Sequence, residues 1–333
     1  MNYNEPSIKK KREEVFSKKK RKQTTASAII FRIVLILICA VIVSGAGLLY
    51  GSFRGIIDSA PKEFSLAPKY SATIVYDDDN KQVQQLSDYS SNRIPVAYEQ
   101  IPDNLKNAFI SIEDERFYEH DGIDFKGILR ALWTDIRNGS TSQGASTLTQ
   151  QLIKNNVFEA GGETNIIAKV KRKIQEQYLA IIAEKKYNKE DILTNYLNTI
   201  NLGKGNLGVE AASKYYFGKS VNELTLSECA VLAGITKNPT FLNPVDYPED
   251  NDARRKLILK KMYQLNYISD TEYQSALEDK VYARIANKTA QGRKNSVYSY
   301  FTDAVITKVV SDLQEQKGYT QSQAYQLVYR GGL

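Results

Sequence analysis

The run IVLILICAVIVSGAGLLY, Ile33–Tyr50, constrains this chain most, because eighteen successive residues carry no charge. With the AIIF that precedes Arg32 it makes a helix of about 22 residues, roughly 33 Å long and enough to cross a bilayer. A cleaved signal peptide is the alternative, since Ser44–Gly47 is small enough to be cut, although a signal core usually spans only about 7–15 residues. Ahead of this run lies a basic tail. Residues 1–32 hold ten Lys/Arg and three acids, which equals the formal charge of +7 for all 333 residues. The remainder balances at 35 basic and 35 acidic residues. The basicity therefore belongs to a tail and not to a domain surface, and no nucleic-acid partner is expected. The positive-inside rule sets residues 1–27 in the cytoplasm, 28–50 across the membrane and everything after Tyr50 outside. Gly47 and Gly51 form a GxxxG pair, too weak a signal alone to assign a function.

Cys39 falls within the apolar run and Cys229 far beyond it. No disulfide framework is expected, and one histidine with two distant cysteines excludes a Cys/His zinc site. Residues 51–92 read as a linker with Pro61 and Pro68, followed by a β-hairpin over Ser71–Ser87 that turns at Asp78–Asn80. From Ile101 onward, 3.6-residue patterns dominate. They predict helices over Asn104–Ile112, Ser146–Phe158, Ile166–Tyr187, Lys189–Asn198, Val209–Phe217, Ser227–Ile235, Asp252–Leu265 and Asp270–Leu277, with Pro102, Pro239, Pro244 and Pro248 marking loops.

Three stretches carry chemistry. In SIEDERFYEHDGID, Ser111–Asp124, six of fourteen residues are acidic, and the chain's sole histidine, His120, sits among them. Glu113 follows the apolar Phe109, Ile110 and Ile112. A carboxylate held against apolar packing has its charged form disfavoured, as suits a general base or acid near neutral pH. A solvated acidic loop is the alternative; a calcium loop needs alternating oxygens that Glu113–Asp124 lacks. In GASTLTQQLIKNN, Gly144–Asn156, a helix capped at Ser146 or Thr147 puts Thr147, Gln151, Lys154 and Asn155 on one side, opposite Leu148, Leu152 and Ile153. That acid-free face near a helix N-terminus suits an anion such as a phosphate, or is an ordinary solvent face. In the helix over Ile166–Tyr187, Lys169, Arg172 and Lys173 lie seven, four and three residues before Glu176. They form ion pairs on an exposed surface, or keep a second acid charged beside a diphosphate site.

Taken in order, EDERFYEHDG, GASTLTQQLIKN, RKIQEQYLA, KEDILTNYLN and RRKLILKKM resemble the five successive motifs of the peptidoglycan glycosyltransferase domain (glycosyltransferase family 51) of class A penicillin-binding proteins. The resemblance runs from about Arg93 to Met262, and Glu210–Pro239 also looks like this family. It implies a mainly α, lysozyme-like domain at 93–280 with a small β-hairpin, preceded by one transmembrane helix and followed by a connector at 281–333. It implies an enzyme that polymerises lipid II, using lipid-linked glycan as donor and releasing undecaprenyl diphosphate. Glu113 matches the family's catalytic base, and Glu176 its second essential acid, which acts on the donor diphosphate directly or through a divalent cation, magnesium or manganese; no organic cofactor is implied. Lys154, Arg172 and Lys173 match residues that neutralise the diphosphate. Asp114, Phe117, His120, Thr147, Gln150, Gln151 and Asn155 match positions lining the cleft, with Asp114 and His120 holding the loop. Arg254 and Arg255 match the fifth motif. Phe125–Trp133 matches a region that dips into the membrane surface, or packs on the core. Cell-wall or division proteins are further expected partners.

Two features depart from the family pattern. The loop Glu159–Lys169 looks longer than expected. No transpeptidase domain is recognisable: SxxK occurs only at Ser17–Lys20 and Ser59–Lys62, and KTG is absent. The closing YRGGL resembles an entry to such a domain, so a fragment of a longer bifunctional protein is expected, with a naturally monofunctional enzyme as the other option. A lytic glycan-cleaving enzyme on the same fold and a membrane-anchored, non-enzymatic wall scaffold are the rival functions.

Overall fold

A computed structural model describes residues 5–87, 92–138, 144–158, 165–285, 300–331 and 333. The chain divides into two compact units, Met1–Ala60 and Pro61–Leu333.

The first unit is one helix, α1 (Glu5–Asp58). Its part from Ile29 to Asp58 reaches a mean hydropathy of 2.8, with none of that window buried, and is long and apolar enough to cross a membrane. The helix runs beyond the expected boundary at Tyr50, so Gly51–Asp58 is helical and not linker. After Pro6 in the first turn of α1, no proline interrupts the chain until Pro61. There the helix unwinds, with Ser59 Oγ donating to the carbonyl of Ile56 at 2.8 Å.

The second unit begins with the expected hairpin, β1 (Thr73–Tyr76) and β2 (Gln82–Leu86), antiparallel in the register Thr73↔Leu86 with an irregularity between Val75 and Tyr76. The turn closes because Asn80 adopts a positive φ of 59° and Asp77 Oδ1 accepts from the amide of Lys81 at 2.8 Å. A helical body follows: α2 (Asp103–Glu113), α3 (Phe125–Asn138), α4 (Leu148–Asn156), α5 (Ile166–Lys186), α6 (Lys189–Leu197), α7 (Val209–Phe217), α8 (Leu226–Gly234), α9 (Pro248–Gln264) and α10 (Asp270–Glu278). The centre is α8, buried from Ser227 to Gly234 and apolar from Cys229 on. It packs on α2 and α9. The Thr225 side chain and Glu228 form a capping box that fixes its start. Pro248, read from sequence as a loop marker, is the first residue of α9, where a missing amide hydrogen costs nothing.

The expected connector at 281–333 is also different. Within it α11 (Tyr300–Lys317) and α12 (Gln321–Arg330) are regular helices. Val305, Ile306, Val309, Val310, Ala324 and Val328 from this pair share a core with Val75 and Leu86 of the hairpin. Beyond α12, Gly331 pairs with Ser71 in a parallel bridge. The hairpin and the last two helices thus form one small packed layer. Of the loop Glu159–Lys169, residues 159–164 lie outside the described residues, and Ile166–Lys169 already belong to α5.

Candidate active site

Helix α2 buries Leu105, Ala108, Phe109 and Ile110, and this packing carries its last residue, Glu113, to the wall of a cleft. The cleft has a volume of about 600 Å³ and includes Glu113, Glu115, Thr147, Gln151, Lys237 and Arg254 in its lining. Three elements hold the Glu113 carboxylate. Gln151 Nε2 of α4 donates to Oε2 at 3.0 Å. Thr236 Oγ1, just past α8, lies 2.5 Å from Oε1. Arg254 Nη2 of α9 lies 3.7 Å from Oε1. Behind Gln151, the Tyr196 hydroxyl of α6 donates to Oε1 of the amide at 3.2 Å. Burial and the nearby charges of Glu113 and Asp114 push the Tyr196 phenol well above its usual value, so it stays a donor. That fixes the amide with its NH2 toward Glu113. Burial lowers the Arg254 pKa against the opposing charge of Glu113, and Arg254 Nε is buried without a hydrogen-bond partner.

Three other acids of the 111–124 stretch, Asp114, Glu115 and Asp124, are held by the protein's own groups. Asp114 accepts from the Leu148 amide at 2.9 Å and faces His120 Nε2 at 3.0 Å. The Gly122 amide, which can only donate, binds His120 Nδ1 at 3.2 Å, so the ring proton sits on Nε2 and points at Asp114. Gly122 has φ +90°, and a Cβ there would lie 2.7 Å from the backbone carbon of Ala180 on α5. Its carbonyl accepts from Thr147 Oγ1 at 2.9 Å and Gln150 Nε2 at 3.0 Å. Glu115 pairs with Arg116, Arg130 and Lys261, and Asp124 pairs with Arg116 at 2.5 Å. Burial, the largest single influence, acts to raise both carboxyls; the Arg130 hydrogen bond with the charges of Arg130, Lys261 and Arg116 at Glu115, and the hydrogen bonds from Arg116 and the Gly127 amide with the Arg116 charge at Asp124, together outweigh it and hold both below their usual values.

These contacts change several expectations. The N-terminus of α4 was expected to suit a phosphate, but the protein's own Asp114 occupies its first amide, and Thr147 caps it through the Gln150 amide. Phe117 is fully buried, with the Lys189 ammonium 4.5 Å from its ring centre, and cannot line a cleft. His120 and Gln150 serve the loop from buried positions. Arg255 is 3% exposed and turns to Asp252 and the Ala276 carbonyl at the end of α10, away from its neighbour Arg254. Glu176 does not itself face Glu113 across the groove. Its side chain is 1% exposed beneath Arg172, to which it bonds, and Lys173 at 3.2 Å. Lys173 reaches the cleft wall by donating to Ser146 Oγ at 2.7 Å. A dication does not fit beside Glu176, because two cations already occupy that carboxylate, and no group of three His, Cys, Asp or Glu side chains gathers among the described residues. Lys154 is exposed and Asn155 half-buried; neither lines the cleft.

Sequence reasoning missed Thr236, Lys237, Tyr196, Arg130 and Lys261. Arg130 lies in a segment read as membrane-facing, Tyr196 and Lys261 lie in stretches that carry the family resemblance but were not singled out there, and Thr236, 123 residues from Glu113, lies with Lys237 in the family-like stretch Glu210–Pro239. Helix α3 is the other surface feature. Phe125, Leu129, Leu132, Trp133 and Ile136 repeat at helical spacing and remain between 54% and 78% exposed. This is an unburied apolar stripe, not a helix packed on the core. Ile166, Ile167 and Val170 on α5 are exposed as well.

A helical domain whose cleft sets one buttressed carboxylate among arginines and lysines has the make-up of an enzyme that displaces an anionic leaving group. The model of the family described as Transglycosylase matches residues 79–263, more than half of the chain, and the chain belongs to that family. Penicillin-binding protein 1A of Clostridium botulinum (strain Langeland) is 41% identical over 271 residues, covering 78% of this chain and 32% of the relative. The protein of the same name from Haemophilus influenzae is 41% identical over 246 residues, covering 74% and 27%. A crystal structure of Penicillin-Binding Protein 1A from Haemophilus influenzae aligns with 79% of this chain and 26% of its own at 25% identity, with a TM-score of 0.39. The chain spans about a third of the length of the curated relatives it matches.

Proposed function

We propose that this chain is a peptidoglycan glycosyltransferase that joins lipid II to a lipid-linked glycan and releases undecaprenyl diphosphate. The observation that carries the reading is Glu113, held by Gln151 and Thr236 at the wall of a cation-bearing cleft. The acceptor's 4-hydroxyl attacks the anomeric carbon of the donor and gives its proton to Glu113. The bond from that carbon to the diphosphate breaks, and the diphosphate leaves with the electron pair. Such a leaving group needs cations rather than an acid, and Arg254 and Lys237, which line the cleft, would supply them. Lys173 joins them at the Ser146 side, with Glu176 and Arg172 behind it as its support. Glycan cleavage releases no diphosphate and would leave these cations without a task, so synthesis is favoured over lysis. No step passes through a metal ion.

The exposed stripe of α3 supports contact with the membrane surface, where a lipid-linked substrate resides. The basic tail supports an N-terminus in the cytoplasm and a catalytic unit outside. The relatives' names and the third of their length matched here support a bifunctional whole that also binds penicillin. The deciding experiment is polymerisation of lipid II by the full chain. Glu113→Gln, which keeps the shape and loses the base, is expected to abolish polymer formation. Wild-type activity in that variant would overturn the assignment of the base.

A further inference from the structure

Thr236 lies outside the five ordered motifs, in the stretch Glu210–Pro239, yet its hydroxyl touches the carboxylate on which the proposed chemistry depends. Oγ1 lies 2.5 Å from Glu113 Oε1 and 2.9 Å from the carbonyl oxygen of Ala233. A hydroxyl has one proton and two lone pairs. While Glu113 is ionised, the charge-assisted bond wins and Thr236 donates to it. Once Glu113 has taken a proton, the hydroxyl can turn to the Ala233 carbonyl and accept from the new carboxylic O–H. Thr236 therefore has a hydrogen bond to Glu113 on both sides of the proton transfer, with no backbone movement.

The support is stiff. Thr236 is β-branched and lies in the turn directly after α8. Every residue of that helix from Ser227 to Gly234 is buried, and the helix packs against α2, which ends at Glu113. Gln151 holds the other carboxylate oxygen from a different helix. With both oxygens tethered from independent elements, rotation of the carboxylate about its last bond is restricted.

We infer that Thr236 is a positioning residue for Glu113, aiming the carboxylate at the acceptor hydroxyl through Oε1. This rests on the reading of Glu113 as the base. Thr236→Val keeps the branched shape and removes the hydroxyl, leaving Gln151, Arg254, Tyr196 and Lys237 as they are. Small misalignments of a reacting group cost up to ~100-fold in rate. In lipid II polymerisation by the full chain, Thr236→Val is expected to lower kcat by about 10- to 100-fold with KM within about 2-fold. Thr236→Ser, which restores the hydroxyl, is expected to recover most of that loss. Wild-type kcat in Thr236→Val would overturn the inference, and so would a change confined to KM or an equal loss in Thr236→Ser. If Thr236→Val melts below the assay temperature, Thr236→Ala and Thr236→Ser carry the same comparison. Glu113→Gln in parallel separates the two levels. An active Glu113→Gln removes the base itself, whereas a dead Glu113→Gln beside a fully active Thr236→Val removes only the role of Thr236.

Discussion

Trp133 is the chain's single tryptophan, so its environment can be read without interference. It lies on the α3 stripe with Phe125, Leu129, Leu132 and Ile136, all still more than half exposed. Full burial of an apolar side chain of this size contributes ~1.5–3 kcal/mol. With about two thirds of each side chain in water, ~1–2 kcal/mol apiece remains available from a membrane surface. Replacing Leu129 and Ile136 by glutamate removes two of the five contributions and sets two carboxylates at the membrane surface, each costing up to about 1 kcal/mol more near the interface. The total loss is roughly 2–6 kcal/mol, above the ~1.4 kcal/mol that makes a tenfold change. The assay is fluorescence quenching of Trp133 in the full chain, reconstituted in vesicles whose lipids carry brominated acyl chains. Strong quenching is expected for the wild type, and its loss for Leu129→Glu/Ile136→Glu. The same variant should raise KM for lipid II at least about tenfold, with an unchanged melting temperature, because neither side chain is part of the folded core. An unquenched Trp133 in the wild type, or a double variant with wild-type quenching and KM, would refute the membrane reading of α3.

Other perturbations test the site's framework. Gly122→Ala should lower stability by ~1–3 kcal/mol or more, seen as a reduced melting temperature, because φ is +90° and the new methyl would meet the Ala180 backbone at 2.7 Å. Glu115 and Asp124 have folded pKa values below their ordinary values of 4.5 and 3.8. Their contribution to stability is therefore complete above those values and lost as pH falls through the lower folded ones. Urea midpoints should drop between about pH 5 and pH 3, and Glu115→Gln/Asp124→Asn should cost more at pH 7 than at pH 3. A double variant with equal effects at both pH values would rule this out. Lys173→Ala should leave Glu176 with Arg172 alone, reducing both the melting temperature and kcat/KM for lipid II; unchanged values would show the lysine to be dispensable.

Much of the helical body was legible because its periodicity is unambiguous: Val209–Phe217 coincides with α7, and the predicted hairpin turn falls where Asn80 turns the chain. The end of α1 and the last two helices were less legible. Pro61 and Pro68 suggested a linker from Gly51 on, but no proline lies between Gly51 and Pro61, and the two glycines there, Gly51 and Gly55, cost a helix only about 1 kcal/mol each. Helices α11 and α12 are recognisable as structure mainly through the apolar face they share with Val75 and Leu86, more than 200 residues earlier in the chain. Within the site, sequence pattern separated Glu113 from its acidic neighbours only by its apolar approach. It could not show that Asp114 would fill the N-terminus of α4, or that Arg254 and Arg255, adjacent in sequence, would turn to different sides of α9.

By itself the sequence determined what depends on neighbours a few residues apart: an apolar run long enough for a membrane, a charge confined to one tail, helices with defined faces, and an acid at the end of a buried turn. Tertiary structure decided which of those acids is free to work. Asp114, Glu115 and Asp124 are each taken up by partners that the fold brings to them, while Glu113 is held by neutral donors and one arginine at the wall of the cleft. Hydrogen bonds and ion pairs act over about 3–4 Å, and only the packed chain sets which groups come within that distance.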